Sequence, residues 1–373
     1  MKIALVRKKY TFHGGAESHM QKLAEALASR AHEVHIFAAQ WDASLNDNNI
    51  FVHKVPSLGF NSIVRDLSFA FSSYHILKKN RAEFDIIQSH DKTLYQDVYF
   101  AGDGCHIEWL KKRRRHSGLQ TRLSIFFNPY HRLVLALERA IFKGHRFKKV
   151  VAISEMVKNE IMANYEVEPG DIEVLYHGID TENFHPRNRE RFRDDVRKKY
   201  SVSNEERVVL FVGSGFERKG LAYLLSAVEV CPQPLTVLIA GKGPFSKYKH
   251  LVKRQRVIHC GPQPEIHKYY AASDLCVVPS IYEPFGLVHL EALASGIPVI
   301  TTRRSGGAEL IVDGANGFVV DAPEDVESIA DRIGAVLDKQ RYAAMCESAR
   351  SSSEKFTFDR HVERLTDIYL SLK

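Results

Sequence analysis

Residues 281–292 have the sequence Ile281-Tyr282-Glu283-Pro284-Phe285-Gly286-Leu287-Val288-His289-Leu290-Glu291-Ala292. Apolar runs at 275–279 and 299–302 flank this stretch. The pattern predicts a strand, a tight turn, a helix and a second strand, because short apolar runs bounded by turn residues are typical of buried strands. Pro284 is expected in the first turn of the helix, where its missing N–H is not needed. The amides after it would then be unpaired donors at a helix N-terminus, which favours ligand oxygens.

Two carboxylates, Glu283 and Glu291, lie eight positions apart in this stretch. A surface helix with a glutamate at its N-terminus would also account for the first of them. The whole stretch, however, resembles the E-x7-E signature of the retaining glycosyltransferases of family GT4. The resemblance implies that Glu291 holds the ribose hydroxyls of the donor nucleotide. It also implies that the donor sugar is held by Glu283 and by the amides of Phe285, Gly286 and Leu287.

Length and composition set the broad class. The chain has 373 residues, of which 45% are hydrophobic, and this is enough for two domains of common size. A net charge of +7 allows nucleic acid, anionic lipid or phosphate-rich ligands as partners without choosing among them. The five cysteines are dispersed and form no C-x-x-C pair, which argues against a disulfide framework or a zinc site and suits a reducing cytosol. We find neither a signal peptide nor a spanning apolar segment, so we expect a cytoplasmic or peripheral membrane protein.

The first half of the chain opens with a unit in which glycines precede a helix. A strand is predicted at 3–6, then the pair Gly14-Gly15, a helix at 16–30 and a strand at 34–37. Glycines at such a turn let the backbone approach a diphosphate. The G-x-G-x-x-G fingerprint is absent, and a bare Gly-Gly is often only a turn. The resemblance to GT4 enzymes implies that Gly14 and Gly15 face the donor phosphates and that Glu17 lies on the acceptor side.

Polar residues follow two further predicted strands. His90 comes after the strand at 84–89, and Asp103 comes after the strand at 98–101. Ligands bind at such strand ends in open α/β sheets, although both residues could be plain loop residues. The string Ala101-Gly102-Asp103 resembles a motif of the lipopolysaccharide-core glucosyltransferases, in which the aspartate lies near the reacting carbon. This resemblance implies that His90 and Asp103 belong to the acceptor side.

A dense basic block, Lys111-Lys112-Arg113-Arg114-Arg115-His116, changes the character of the chain. Aromatic and aliphatic residues interleaved with arginines follow it at 122–142. We interpret the block as a loop that binds an anionic membrane surface, where each basic residue contributes about 1 kcal/mol. The alternative is a solvated basic loop followed by a core helix from about Pro129. No recognition motif supports nucleic acid as the partner.

The second half contains a candidate diphosphate site after the strand at 208–212. The string Gly213-Ser214-Gly215-Phe216-Glu217-Arg218-Lys219-Gly220 places two cations at a strand-to-helix turn. An arginine grips a diphosphate as a fork and a lysine as a point charge. Arg218-Lys219-Gly220 resembles the R-K-G motif of GT4 enzymes, which implies that Arg218 and Lys219 bind the donor diphosphate, with Gly213 beside them.

Further glycine turns match the same family. Gly241-Lys242-Gly243-Pro244 is similar to its G-x-G-P turn, and simple chain reversal is the alternative explanation. The base-binding backbone of the family corresponds to residues 261–266, which include Pro262 and Ile266. The string His177-Gly178-Ile179-Asp180 resembles the N-G-V-D hinge, with His177 in place of the usual asparagine.

The resemblance therefore implies an α/β protein with the GT-B fold, in which two Rossmann-like domains face each other across a cleft. We expect an N-terminal acceptor-side domain at 1–180 and a nucleotide-sugar domain at 181–355. A final helix at about 356–373 is expected to pack back onto the first domain.

The function implied is a retaining, metal-independent transfer of a hexose from a nucleotide-sugar co-substrate, UDP-glucose. The acceptor would be a lipopolysaccharide-core or other lipid-linked glycan at the cytoplasmic face of the bacterial inner membrane. Three alternatives stay open: a GDP-mannose-dependent mannosyltransferase, a nucleotide-sugar epimerase and a catalytically silent membrane-binding module.

The predicted chemistry needs charge stabilisation on a leaving diphosphate. The sequence contains no D-x-D triplet, so a metal clamp is not suggested, and the Arg218 and Lys219 side chains with the Gly14-Gly15 amides could fill that role. The predicted catalytic residues are these two cations, Glu283 and Asp103. Asp103 would stabilise the oxocarbenium-like state, and the choice of a nucleophile stays open.

Overall fold

The computed structural model describes residues 1–10, 15–41 and 49–373. The chain forms two compact units. Met1–Tyr176 together with Asp359–Lys373 make up the first, and His177–Phe358 make up the second. The chain therefore passes from one unit to the other twice. None of the helices in the described ranges is long and apolar enough to cross a membrane.

The first unit contains a seven-stranded parallel sheet with the order β5-β3-β1-β6-β7-β8-β9. Its strands are nearly continuous apolar runs because helices cover both faces of the sheet. Two short strands, β2 and β4, form a separate parallel pair. The strands are β1 (Lys2–Val6), β2 (Lys9–Tyr10), β3 (Glu33–Ala38), β4 (Gln40–Trp41), β5 (Ile50–Lys54), β6 (Ile86–Ser89), β7 (Val98–Ala101), β8 (Lys149–Ala152) and β9 (Ile172–Val174).

The helices of the first unit bury apolar faces on this sheet. The last of them returns from the end of the chain and buries Val362, Leu365 and Ile368. Its Tyr369 hydroxyl donates to the Gln88 side chain on β6 over 2.8 Å. The helices are α1 (Gly15–Ser29), α2 (Ser62–Lys79), α3 (His106–Arg115), α4 (Leu119–Phe127), α5 (Pro129–Phe142), α6 (Glu155–Tyr165) and, after the second unit, α13 (Phe358–Ser371).

The sequence analysis predicts a loop for the basic block at 111–116, and this prediction is wrong. Residues up to Arg115 form the second half of α3. Lysine and arginine are good helix formers, and cations are favourable near a helix C-terminus. Lys111 and Lys112 also pair with Glu108 one turn earlier, at 2.7 and 3.6 Å, and such spacings stabilise a helix.

The second unit is built around a six-stranded parallel sheet with the order β12-β11-β10-β13-β14-β15. Its strands are β10 (Val208–Val212), β11 (Thr236–Ala240), β12 (Arg256–Gly261), β13 (Leu275–Val278), β14 (Val299–Thr302) and β15 (Gly317–Val320). Its helices are α7 (Asn188–Lys199), α8 (Leu221–Val230), α9 (Ile266–Ala272), α10 (Leu287–Ala294), α11 (Val326–Val336) and α12 (Lys339–Ser353).

Each large sheet has a point at which the order of strand addition reverses. In the first unit this point lies between β1 and β6, and in the second unit it lies between β10 and β13. Loops that leave neighbouring strands there diverge to opposite faces and open a crevice for ligands. The prediction of two Rossmann-like α/β domains is confirmed.

Candidate functional site

The candidate donor site occupies the reversal point of the second sheet. The loop after β10 carries Arg218 and Lys219, and the loop after β13 carries Glu283. Because β10 and β13 are hydrogen-bonded parallel neighbours, their carboxyl ends bring these two loops together. In the sequence, Glu283 lies 64 positions after Lys219 and 65 positions after Arg218. The sheet brings Glu283 into direct contact with both.

Glu283 is the centre of an ion-pair cluster. Its Oε2 atom lies 2.7 Å from Lys219 Nζ and 2.9 Å from Arg218 Nη1. Arg218 also donates to the Tyr282 carbonyl oxygen over 3.1 Å. Lys219 and Glu283 are both buried, whereas Arg218 is about one-third exposed. The cluster therefore presents one guanidinium group to solvent and keeps the ammonium group in a low-dielectric setting, where its charge acts strongly.

Burial favours the neutral form of the Glu283 carboxyl and would raise its pKa. The positive charges and hydrogen bonds of Lys219 and Arg218 outweigh this effect and lower the pKa to about 2. Glu283 is consequently an anion throughout the physiological pH range. It can accept hydrogen bonds from sugar hydroxyls and cannot act as a general acid there.

Gly213 makes room for the lysine. Its φ is +130°, and a Cβ atom added to it would lie 2.4 Å from Lys219 Cε. The Gly213 amide donates to the Ala240 carbonyl oxygen over 2.8 Å, which fixes the loop against the end of β11. A side chain at this position would be strained and would displace Lys219 from Glu283.

The turn before α10 is held by the segment that follows β14. The Glu283 amide donates to the Arg304 carbonyl oxygen over 3.0 Å, and the Gly306 amide donates to the Glu283 carbonyl oxygen over 2.9 Å. Ser305 Oγ donates to the Phe285 carbonyl oxygen over 3.2 Å. The turn is thus tied at three points to residues about twenty positions later.

The helix itself begins later than the sequence predicts. α10 starts at Leu287, with Gly286 as its N-cap at φ +82°, so Pro284 lies in the turn and not in the first helical turn. A left-handed glycine ends the extended segment and redirects the chain into the helix. The amides of Gly286 and Leu287 have no acceptor among the described residues, which leaves them as donors at a helix N-terminus.

Glu291 lies in the second turn of α10 and is half-buried. It accepts a hydrogen bond from the Tyr270 hydroxyl over 2.8 Å. The same hydroxyl lies 3.2 Å from the Val288 carbonyl oxygen. Tyr270 is fully buried on α9, so it orients the Glu291 carboxylate without blocking its exposed side.

The remaining donor-side residues lie at the ends of the neighbouring strands. Gly241 follows β11, and its amide donates to the Gly261 carbonyl oxygen at the end of β12 over 2.9 Å. Pro262 is exposed directly after β12, and Ile266 begins α9. The second sheet thus gathers these residues on the same edge as Glu283.

In the first unit, Asp103 and His90 have different environments. Asp103 is exposed in the turn after β7, where the Gly104 amide donates to the Ala101 carbonyl oxygen over 3.2 Å. His90 is buried at the reversal point after β6, with its ring 4.7 Å from that of Phe100. Asp103 is open to a ligand, whereas His90 packs as a core residue.

A lysine that the sequence analysis missed lies near Asp103. Lys92 Nζ is 3.5 Å from the buried carboxylate of Glu138. Burial disfavours its charged form, but Tyr99, Glu138 and Asp103 raise the pKa of Lys92 above its ordinary value. Glu138 in turn accepts the Tyr165 hydroxyl over 2.6 Å, which makes a buried polar cluster beside the Asp103 turn.

The structure gives little detail for three predicted residues near the start of α1. Gly14 lies outside the described residues, and nothing is described of the Glu17 side chain. Gly15 is the first residue of α1.

The basic and apolar surface of the first unit is formed by α3 and α4. Lys112 pairs with Glu160 at 2.5 Å, and Lys111 pairs with Glu108, so these lysines are partly neutralised. Arg114 and Arg115 are exposed. Exposed apolar side chains on α4 lie beside them: Leu119, Leu123, Phe126 and Phe127, at 73, 50, 58 and 66% exposure.

The comparisons with known proteins agree with this architecture. The Glycosyltransferase Family 4 model matches residues 13–183, and the model of Glycosyl transferases group 1 matches residues 192–353. The chain is 26% identical to the lipopolysaccharide glucosyltransferase WaaG of Escherichia coli over 377 residues, which cover 99% of this chain and 98% of that protein.

Two solved structures illustrate the likeness. A crystal structure of WaaG, a glycosyltransferase involved in lipopolysaccharide biosynthesis, aligns with a TM-score of 0.83 at 25% identity, over 98% of this chain and 99% of that one. Anabaena HepE in complex with UDP-glucose aligns with a TM-score of 0.73 at 20% identity over the whole of both chains, and this likeness concerns the fold alone.

Proposed function

Because this chain is a GT4-type glycosyltransferase with the GT-B fold, we propose that it transfers glucose from UDP-glucose to a lipopolysaccharide-core or related lipid-linked glycan with retention of anomeric configuration. The observation that carries the proposal is the Lys219–Glu283–Arg218 cluster at the reversal point of the second sheet. The full-length similarity to a lipopolysaccharide glucosyltransferase supports the choice of sugar and acceptor class.

The two cations would stabilise the negative charge that develops on the leaving diphosphate. Such preorganised charges are often the largest contribution to catalysis, and losing one donor typically costs about 100- to 1,000-fold in kcat. Glu283 and Gly213 confine Lys219 and so hold its ammonium group in place. With these two cations on the diphosphate, the proposed reaction needs no metal ion.

The carboxylates would fix the sugar and the ribose. Glu283, ionised at neutral pH, would accept hydrogen bonds from hydroxyls of the transferred glucose. The amides of Gly286 and Leu287, which have no acceptor within the described part of the chain, would face oxygens of the same donor. Glu291, oriented by Tyr270, would accept the ribose hydroxyls.

Asp103 would stabilise the oxocarbenium-like state from the acceptor side. It is exposed at the end of β7, and the positively charged Lys92 near it keeps the surrounding cluster from being purely anionic. Asp103→Asn should lower turnover while leaving the affinity for UDP unchanged. Near-normal turnover in this variant would remove Asp103 from the mechanism.

The surface made by α3 and α4 would place the enzyme on the cytoplasmic face of the bacterial inner membrane. Arginines attract anionic lipid headgroups, and exposed leucine and phenylalanine side chains enter the headgroup boundary. Arg114, Arg115, Phe126 and Phe127 combine these two properties on adjacent helices.

The first experiment is calorimetric titration with UDP, GDP, UDP-glucose, UDP-N-acetylglucosamine and GDP-mannose in the presence of EDTA. A preference for UDP-glucose would support the proposal. A preference for GDP-mannose would replace glucosyl transfer with mannosyl transfer, and binding that requires a divalent cation would overturn metal independence. If none of the ligands binds, the proposed donor site is wrong.

A further inference from the structure

His289 is a fully buried histidine on α10, in the middle of the donor-side turn. Its Nδ1 atom lies 2.7 Å from the Gly286 carbonyl oxygen, and its Nε2 atom lies 2.8 Å from Thr301 Oγ1. A carbonyl oxygen only accepts hydrogen bonds, so the Nδ1 atom carries the proton and donates. Burial lowers the pKa of His289 to about 4, and the ring is therefore neutral at pH 7.

The ring also fills the space between two glycines. A Cβ atom added to Gly286 would lie 2.6 Å from His289 Cε1, and one added to Gly307 would lie 2.4 Å from His289 Nδ1. The imidazole is thus wedged between the N-cap of α10 and the segment after β14. It contacts the turn at the peptide group between Gly286 and Leu287. The orientation of this group determines the direction of the Leu287 N–H bond.

We propose that His289 is a positioning residue for the donor: its Nδ1–H group holds the Gly286 carbonyl oxygen inward, so that the following Leu287 amide is directed outward to the sugar diphosphate. A peptide group is planar, and its C=O and N–H point in opposite directions. Fixing the Gly286 oxygen therefore fixes the Leu287 amide, which has no acceptor among the described residues. The imidazole itself does not touch the ligand.

This inference rests on the proposed function, since it names the ligand that the amide would meet. It differs from a general packing role in one respect. The two ring nitrogens hold different partners, and of these two only Nδ1 reaches the turn. There it adds to the His289 backbone amide, which donates to the same Gly286 oxygen over 3.0 Å and is kept in every side-chain variant. An asparagine side chain can place an N–H donor at the position of Nδ1, and a glutamine side chain can place its amide oxygen, an acceptor, at the position of Nε2.

The test compares His289→Ala, His289→Asn and His289→Gln by calorimetric titration with UDP-glucose and with UMP. UMP lacks the β-phosphate and the sugar, so its binding should not depend on the Leu287 amide. We expect His289→Ala and His289→Gln to weaken UDP-glucose binding about tenfold, the effect of one hydrogen bond. UMP binding should stay within about twofold, and His289→Asn should restore most of the UDP-glucose affinity.

Other outcomes overturn the inference. Equal loss of UMP and UDP-glucose binding in His289→Ala, with a lower melting temperature, would show a structural role alone. Rescue by glutamine and not by asparagine would assign the effect to the Thr301 contact. Unchanged UDP-glucose binding in all three variants would remove His289 from the site.

Failure of the proposed function would be recognised separately, because the unmodified protein would then not bind UDP-glucose. If GDP-mannose is the donor that binds, the same comparison is made with GDP-mannose and GMP. Selective loss of GDP-mannose binding with asparagine rescue would support the inference, and any other pattern would overturn it.

Discussion

The Lys219 ammonium group donates to the Glu283 carboxylate over 2.7 Å, and both residues are only 7% exposed. The two side chains come from different loops that meet because β10 and β13 are neighbours. Each group needs the other, since an unpaired charge at this depth would be costly. The pair can therefore be tested by changing either residue.

Removing the lysine should abolish tight nucleotide binding. Lys219→Ala deletes a buried cation, and the loss of a buried charge partner typically costs about 2–5 kcal/mol, or roughly 30- to 5,000-fold in the UDP dissociation constant. Calorimetric titration with UDP measures this. Lys339→Ala, at an exposed lysine that begins α12, is the control and should bind UDP normally. Equal affinities of the two variants would contradict the assignment.

The pH dependence of stability should reveal the low pKa of Glu283. Its ordinary value is 4.5 and its value in the folded protein is about 2, so the ionised pair stabilises the fold above about pH 4.5. That contribution, on the order of 3 kcal/mol, is lost as the pH falls from about 4.5 to 2. Differential scanning calorimetry should show Glu283→Gln melting below the unmodified protein at pH 7, with the difference shrinking toward pH 3. The exposed Glu327→Gln is the control; a gap independent of pH would refute the assigned pKa.

Alanine variants at two nearby glycines test separately the effect of backbone strain and the effect of displacing Lys219. Gly213 and Gly215 both have positive φ, at +130° and +78°, but only a Cβ atom at Gly213 meets Lys219. Each change to alanine should lower the melting temperature through strain of about 1–3 kcal/mol. Only Gly213→Ala should also weaken UDP binding, by about tenfold or more. Comparable UDP affinities in the two variants would show that Gly213 does not keep space for Lys219.

Membrane attachment should depend on α4. Phe126→Ser combined with Phe127→Ser removes two exposed rings, each worth about 1.5–3 kcal/mol when buried, and should lower partitioning to vesicles by more than tenfold. The probe is a vesicle with one-third anionic phosphatidylglycerol in phosphatidylcholine, measured by sedimentation. Val230→Ser combined with Val312→Ser, at 55 and 62% exposure in the second unit, is the control. Equal partitioning of both double variants would place the membrane contact elsewhere.

Most strands of both sheets could be predicted from the sequence because they are short apolar runs, such as residues 208–212, that are buried on both faces. The edge strands β5 and β15 were not predicted, and β5 is partly exposed. The motif residues Arg218, Lys219 and Glu283 could be chosen because their types and spacing are specific. Their mutual contact, across 64 and 65 residues, also follows once β10 and β13 are placed side by side.

Other parts of the site depend on contacts that no local pattern records. The start of α10 moves to Leu287 because residues 304–306 hold the turn by backbone and hydroxyl hydrogen bonds. Tyr270 and His289 look like ordinary core residues in the sequence, and they acquire their roles from Glu291 and from the Gly286 carbonyl oxygen. The basic block is helical in part because Lys111 and Lys112 pair with Glu108 three and four positions earlier. This helical spacing is visible in the sequence.

The return of α13 to the first unit has a consequence for synthesis on the ribosome. The first unit is translated first, but the residues that finish its core, including Tyr369, are added only after all of the second unit. Until then the partner of Gln88 and an apolar face of the first sheet have no cover from α13. The second unit is the one that can complete its fold while the chain is still growing, and the first unit keeps part of its apolar surface uncovered until α13 has been synthesised.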